Sequence, residues 1–182
     1  MDMTQHISSY HQYIFEEDYN YSKTPNTNGI AYYTEDNIDL YLTYEIAVRN
    51  DTKIATAPLQ IVDYYNNRFT YQDGYTTSKG NHIAGLRING NEVTGRITAN
   101  GFNNAGVSSK PKDYNALFIN LGQGYLLNSP DDELKIQITF KLTDRNGHAT
   151  EVLKEMLLQE DRDNKYSRSW EIKNYAEINA YY

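Results

Sequence analysis

The chain has no cysteine. That excludes a thiol nucleophile, a thiolate-held metal and an internal thioester. It leaves the redox compartment open, because a domain of this length builds a core without disulfides. Proline is also scarce, with four in 182 residues. No apolar run approaches the roughly 20 residues that a membrane-spanning helix needs. Positive charge is in deficit: 17 Lys and Arg stand against 24 Asp and Glu, for a net charge of -7. The cations are scattered, whereas a nucleic-acid binder needs them clustered to displace counterions from phosphate. The opening residues MDMTQHISSYHQ lack the charged-then-apolar order of a signal peptide, and no anchor motif closes the other end. If the parent protein is exported, this chain is expected to be a fragment of it.

Tyrosine is in excess, with 18 against five Phe and one Trp. Tyrosine suits half-buried strands, where the ring packs and the hydroxyl stays wet. The patterning agrees. In IDLYLTYEIAVRNDT, residues 38–52, Ile38, Leu40, Leu42, Tyr44, Ile46 and Val48 alternate with mostly polar positions. ELKIQITFKLT, 133–143, repeats this with Leu134, Ile136, Ile138, Phe140 and Leu142, and stops at the turn Asp144-Arg145-Asn146-Gly147. Further strands are expected in QYIFEEDYNYSK (12–23), APLQIVDYY (57–65), RFTYQ, NALFINL (115–121) and SWEIKNYAEINAYY. Pro58 places the start of its strand on an edge or outside the ladder. TEVLKEMLLQ, 150–159, has helix-forming residues but reads equally as a strand in a β context.

Residues 73–114 are rich in Gly, Asn, Ser and Lys and carry too few large apolar residues for a separate core. They read as an inserted hairpin and loop. Asn89-Gly90 between IAGLRI and EVTGRIT marks the hairpin. Residues 1–11 read as disordered or linker and 12–182 as one domain. About eight one-sided strands predict an all-β, antiparallel sandwich of immunoglobulin-like type, with a jelly roll or open barrel as alternatives.

Motifs for chemistry are sparse. His6, His11, His82 and His148 show no metal-ligand spacing. There is no nucleophile elbow or phosphate-binding loop. Neighbouring carboxylates such as Glu16-Glu17 point to opposite faces of a strand. Asp131-Asp132-Glu133 and Glu160-Asp161 with Asp163-Asn164 are acidic enough for calcium, but read as solvated loops. No cofactor, nucleic-acid partner or membrane insertion is expected, and the chain reads as a non-enzyme.

One constellation offers chemistry. Asp63 and Asn174 each fall in phase with apolar neighbours, and Lys23 shares the aromatic face of the first expected strand. A buried Lys, Asn and acid can form an intramolecular isopeptide bond. Desolvation frees the neutral amine, a protonated acid polarises the amide, and ammonia leaves. A polar residue at a strand end is the plainer reading of each.

The stretch DLYLTYEIAVRNDT, with ATAPLQIVDYYNNRFTY after it, resembles the repeat domains of large cell-wall-anchored surface proteins of Gram-positive bacteria. In those, a Tyr-x-Ile-x-Val-x-Asn strand leads to an x-x-Asp-Tyr-Tyr-Asp-x-x-Phe segment. ELKIQITFKLT and IKNYAEINAYY are similar to later strands of such repeats, the second to an Asn-x-Ala-Glu-Ile-x-x-Tyr closing strand. These pieces cover about half the chain in the expected order, and 73–114 has no counterpart. The resemblance implies an immunoglobulin-like, extracellular, cell-wall-anchored structural or adhesive module. Its partners would be neighbouring domains of the same protein and a host protein or glycan. Some relatives of this architecture carry a Lys–Asn crosslink. A carbohydrate-binding module is the alternative, with Tyr32-Tyr33, Tyr64-Tyr65, Tyr75 or Tyr181-Tyr182 as stacking platforms.

Overall fold

The computed structural model describes residues 39–77, 80–98, 111–143, 147–152, 155 and 172–181, with the backbone of 3–15. Among these, the strands in chain order are β1 (Met3–Phe15), β2 (Leu40–Asn50), β3 (Pro58–Asn66), β4 (Phe69–Thr70), β5 (Gly74–Thr76) and β6 (His82–Ala84). They continue with β7 (Leu86–Ile88), β8 (Asn91–Glu92), β9 (Ile97–Thr98), β10 (Tyr114–Asn120), β11 (Glu133–Leu142) and β12 (Tyr175–Tyr181). Residues 150–152 and 155 are helical, so the start of the ambiguous TEVLKEMLLQ stretch takes its intrinsic preference.

Two antiparallel sheets form the sandwich. The larger runs β1-β2-β11-β7-β8, with β4 also pairing β11. The smaller runs β12-β3-β10-β9. The two longest alternating stretches of the sequence lie side by side as β2 and β11, in register from Arg49 opposite Glu133 to Leu40 opposite Leu142. Their inward residues meet Ile61, Tyr65, Leu117, Ile119 and Ala176 of the smaller sheet in one core. Phe140 is its aromatic hub, stacked on Tyr65 at 4.9 Å and Phe69 at 5.6 Å, with Tyr44 and Tyr71 edge-on.

Three features depart from the expected pattern. First, residues 3–11 belong to a strand, not a linker, because β1 pairs with β2 from Met3↔Asn50 to Phe15↔Leu40. A long free edge on β2 offers ladder bonds that outweigh weak local propensity. The rest of the first expected strand, 16–23, lies outside the described residues.

Second, alternation is not one-sided throughout. Leu40 to Tyr44 are all buried. Tyr75, from the two-stranded β5–β6 ribbon, packs edge-on against Tyr41 at 5.1 Å and donates to the Thr139 carbonyl at 2.9 Å. The outward Thr43 and Thr139 hydroxyls bond each other there at 2.8 Å.

Third, the insertion holds more than one hairpin and a loop, and its strands join both sheets. Its β7–β8 hairpin turns at Asn89-Gly90, both at positive φ, as the Asn-Gly signal predicts. Between β6 and β7, Gly85 lets the chain approach closely. A Cβ there would lie 1.9 Å from the Gln72 carbonyl oxygen. Its N–H donates to Asp73 and its carbonyl accepts from Thr139.

At the end of β2, Asn50 is fully buried and fully satisfied. Its Nδ2 donates to the Ile54 and Leu127 carbonyls, and its Oδ1 accepts from the Thr52 N–H and hydroxyl. The following loop is thereby tied to Leu127, which also pairs with Thr56.

Candidate functional site: a buried acid–amide pair

Asp63 sits mid-strand in β3, opposite Leu117 of β10 and Ala176 of β12. A polar side chain with these neighbours faces the core, and Asp63 has no exposure to solvent. Asn174 lies directly before β12, in phase with Ala176, and is also buried. The two meet although 111 residues apart in sequence: Asn174 Nδ2 donates to Asp63 Oδ2 at 2.5 Å.

Two tyrosines place the segment that carries Asn174. Tyr44, from β2 of the opposite sheet, donates its hydroxyl to the Ile172 carbonyl at 2.7 Å. Tyr114, from β10, donates to the Lys173 carbonyl at 2.7 Å. Consecutive carbonyls are thus held from both sheets, and Asn174 follows with little freedom. Strand phase marks Asp63 and Asn174 in the sequence but not these two tyrosines. Nothing in the local pattern distinguishes Tyr44 from its apolar neighbours.

The pair is unfinished as a hydrogen-bonding unit. Asp63 Oδ1 and Asn174 Oδ1 are both buried and have no partner. Such orphans are rare in folded proteins: Asn174 Oδ1 calls for a proton donor, and Asp63 Oδ1 for a donor when ionised or an acceptor when protonated. Burial pushes the Asp63 carboxyl up to about 7, and the Asn174 hydrogen bond opposes that in part. An acid in this position keeps its proton into the neutral range. It can therefore give a proton to a neighbouring carbonyl, and a buried amine would supply the remaining donors. Lys23, the third member of the expected constellation, lies outside the described residues.

The other candidates resolve differently. Tyr64, Tyr65 and Tyr75 are buried, so none presents a ring for stacking. Desolvation raises the Tyr65 and Tyr75 hydroxyls above their ordinary range. Tyr181 is exposed, while Tyr32, Tyr33 and Tyr182 lie outside the described residues. In the first acidic run, Asp132 caps its own turn by accepting from the Asn128 and Ser129 N–H groups, and Glu133 pairs with Arg49 at 2.6 Å. Among the described residues no three His, Cys, Asp or Glu gather as a metal site. The second acidic run, 160–164, lies outside them. His82 pairs with Glu92 and His148 with Asp39. Among the described residues no helix is long and apolar enough to cross a membrane.

No family model, curated protein or solved structure matches this chain.

Proposed function

We propose that this chain is a non-catalytic structural module of a bacterial surface protein, an immunoglobulin-like sandwich pinned by one internal amide bond. The bond joins Lys23 to Asn174, with Asp63 as the proton donor. The observation that carries the reading is the buried Asp63–Asn174 pair with an orphan oxygen on each member. A structural role alone would favour an apolar pair here, because a half-satisfied polar pair weakens a core.

The chemistry balances without a co-reactant. Once the Asn174 amide turns so that Oδ1 rather than Nδ2 faces the carboxyl, the neutral lysine amine attacks Cγ of Asn174 while Asp63 gives its proton to Oδ1. The Cγ–Nδ2 bond then breaks, ammonia leaves with the amine's proton, and Asp63 recovers its own. The product links position 23, early in the chain, to position 174, just before β12. A crosslink between early and late positions keeps the chain between them from extending under load, as a module in a cell-wall-anchored array requires. A chain without cysteine has no disulfide route to that end.

Intact-mass measurement tests the proposal. The wild-type chain is expected one ammonia below its calculated mass, and Lys23→Ala, Asp63→Ala and Asn174→Ala each at full mass. A wild-type chain at full mass overturns the crosslink.

A further inference from the structure

Four side chains form a hydrogen-bonded row across the whole width of the smaller sheet. Asn179 Nδ2 donates to Gln60 Oε1, Gln60 Nε2 to Asn120 Oδ1 at 2.8 Å, and Asn120 Nδ2 to Thr98 Oγ1 at 2.9 Å. The register fixes their face. Gln60 lies opposite Asn120, and Thr98 opposite Phe118, two residues along from Asn120. Because alternate residues share a face, the row is on the side away from Asp63. Asn179 occupies the irregularity between Ile178 and Ala180, which brings it to Gln60. Tyr181 pairs with Pro58 and so stands on the same face, one step beyond Gln60, with half its surface exposed.

The row is at the surface: Asn179 and Thr98 are exposed, and Gln60 and Asn120 half-buried. Hydrogen bonds in such a setting contribute little net stability, because water competes for both partners. What they do is lock three amide rotamers. Each amide donates one N–H within the row, and among the described residues its second N–H and the Asn179 Oδ1 have no partner. The result is a pre-ordered line of uncharged donors and acceptors beside an exposed aromatic ring. Pre-ordering lowers the entropy cost of binding.

We propose that this row and Tyr181 form a binding face for a neutral oligosaccharide. Sugar hydroxyls both give and accept hydrogen bonds, which suits amides with one free N–H and a free carbonyl lone pair. The apolar face of a pyranose ring suits an exposed tyrosine. Charge narrows the class: the row carries none, and a chain of net charge -7 repels polyanionic glycans. The inference is independent of the crosslink, since it concerns the opposite face of the sheet.

Affinity electrophoresis tests it, using soluble β-glucan, mannan and galactan as neutral probes and hyaluronan as the anionic control. At least one neutral polymer is expected to retard the wild-type chain, and hyaluronan is not. Tyr181→Ala and Gln60→Ala are each expected to weaken that retardation about tenfold, the loss of a little over 1 kcal/mol of contact. Arg87→Ala, on the other sheet, leaves it unchanged. Unaltered melting curves show that the variants are folded, and Asn120→Ala replaces Gln60→Ala if the latter melts early. The proposal is overturned if no neutral polymer retards the protein, if only hyaluronan does, or if folded variants of the row and of Tyr181 bind as well as wild type.

Discussion

Asp63 makes the stability of this fold depend on pH in a calculable way. Its carboxyl is raised from 3.8 to about 7 in the folded chain. Below pH 3.8 the folded and unfolded states both hold the proton, and the native state has its full stability. As pH rises, the unfolded chain ionises first while the native chain keeps its proton. The unfolded state then binds fewer protons, so stability falls until the native carboxyl also ionises near 7. Each tenfold difference in proton affinity between the two states is worth about 1.4 kcal/mol, so the loss is roughly 4 kcal/mol across that window. The measurement is urea unfolding from about pH 3.5 to about pH 8 in a Lys23→Ala background, which keeps the pair unlinked. Asp63→Asn in the same background removes the titrating group and leaves a neutral side chain of the same shape. It is expected to match its parent in acid and to exceed it at neutral pH by most of that amount. Parallel stability curves for the two chains refute the reasoning, because they mean that Asp63 ionises as easily in the core as in water.

Three further outcomes follow from the packing. Asn50→Ala removes a buried amide that satisfies four groups, and is expected to cost about 3 kcal/mol in urea unfolding, near the sum of its hydrogen bonds. Gly85→Ala drives a Cβ into the Gln72 carbonyl, which backbone cannot yield cheaply. It should lower the melting temperature and speed hydrogen exchange at Gly85 and Thr139, whereas an unshifted melt would show that the approach relaxes. Tyr44→Phe deletes one hydroxyl bond to the Ile172 carbonyl and should cost about 1 kcal/mol. If the proposed bond forms, the same change slows it, read as the rate of ammonia loss after refolding.

Residue order alone settles where most strands run, because a two-residue period marks one buried face whatever the strand's neighbours are. It also marks the turns, with Asn89-Gly90 forced to positive φ in a tight hairpin. It flags Asp63 and Asn174, since a polar residue in an apolar phase must be buried or displaced by a bulge. Strand order is not legible there, because it depends on contacts far apart in the chain. Hence residues 3–11 read as a linker although they pair along β2, and the second face of β2 reads as wet although Tyr75 covers it. The same holds for the site. Period alone does not say that Asp63 and Asn174 face each other across 111 residues, or that Tyr44 and Tyr114 grip the carbonyls beside Asn174. Nor does it show that three surface amides on three strands form one row. Period fixes the face on which a side chain lies, and only the pairing of distant strands decides what it meets there.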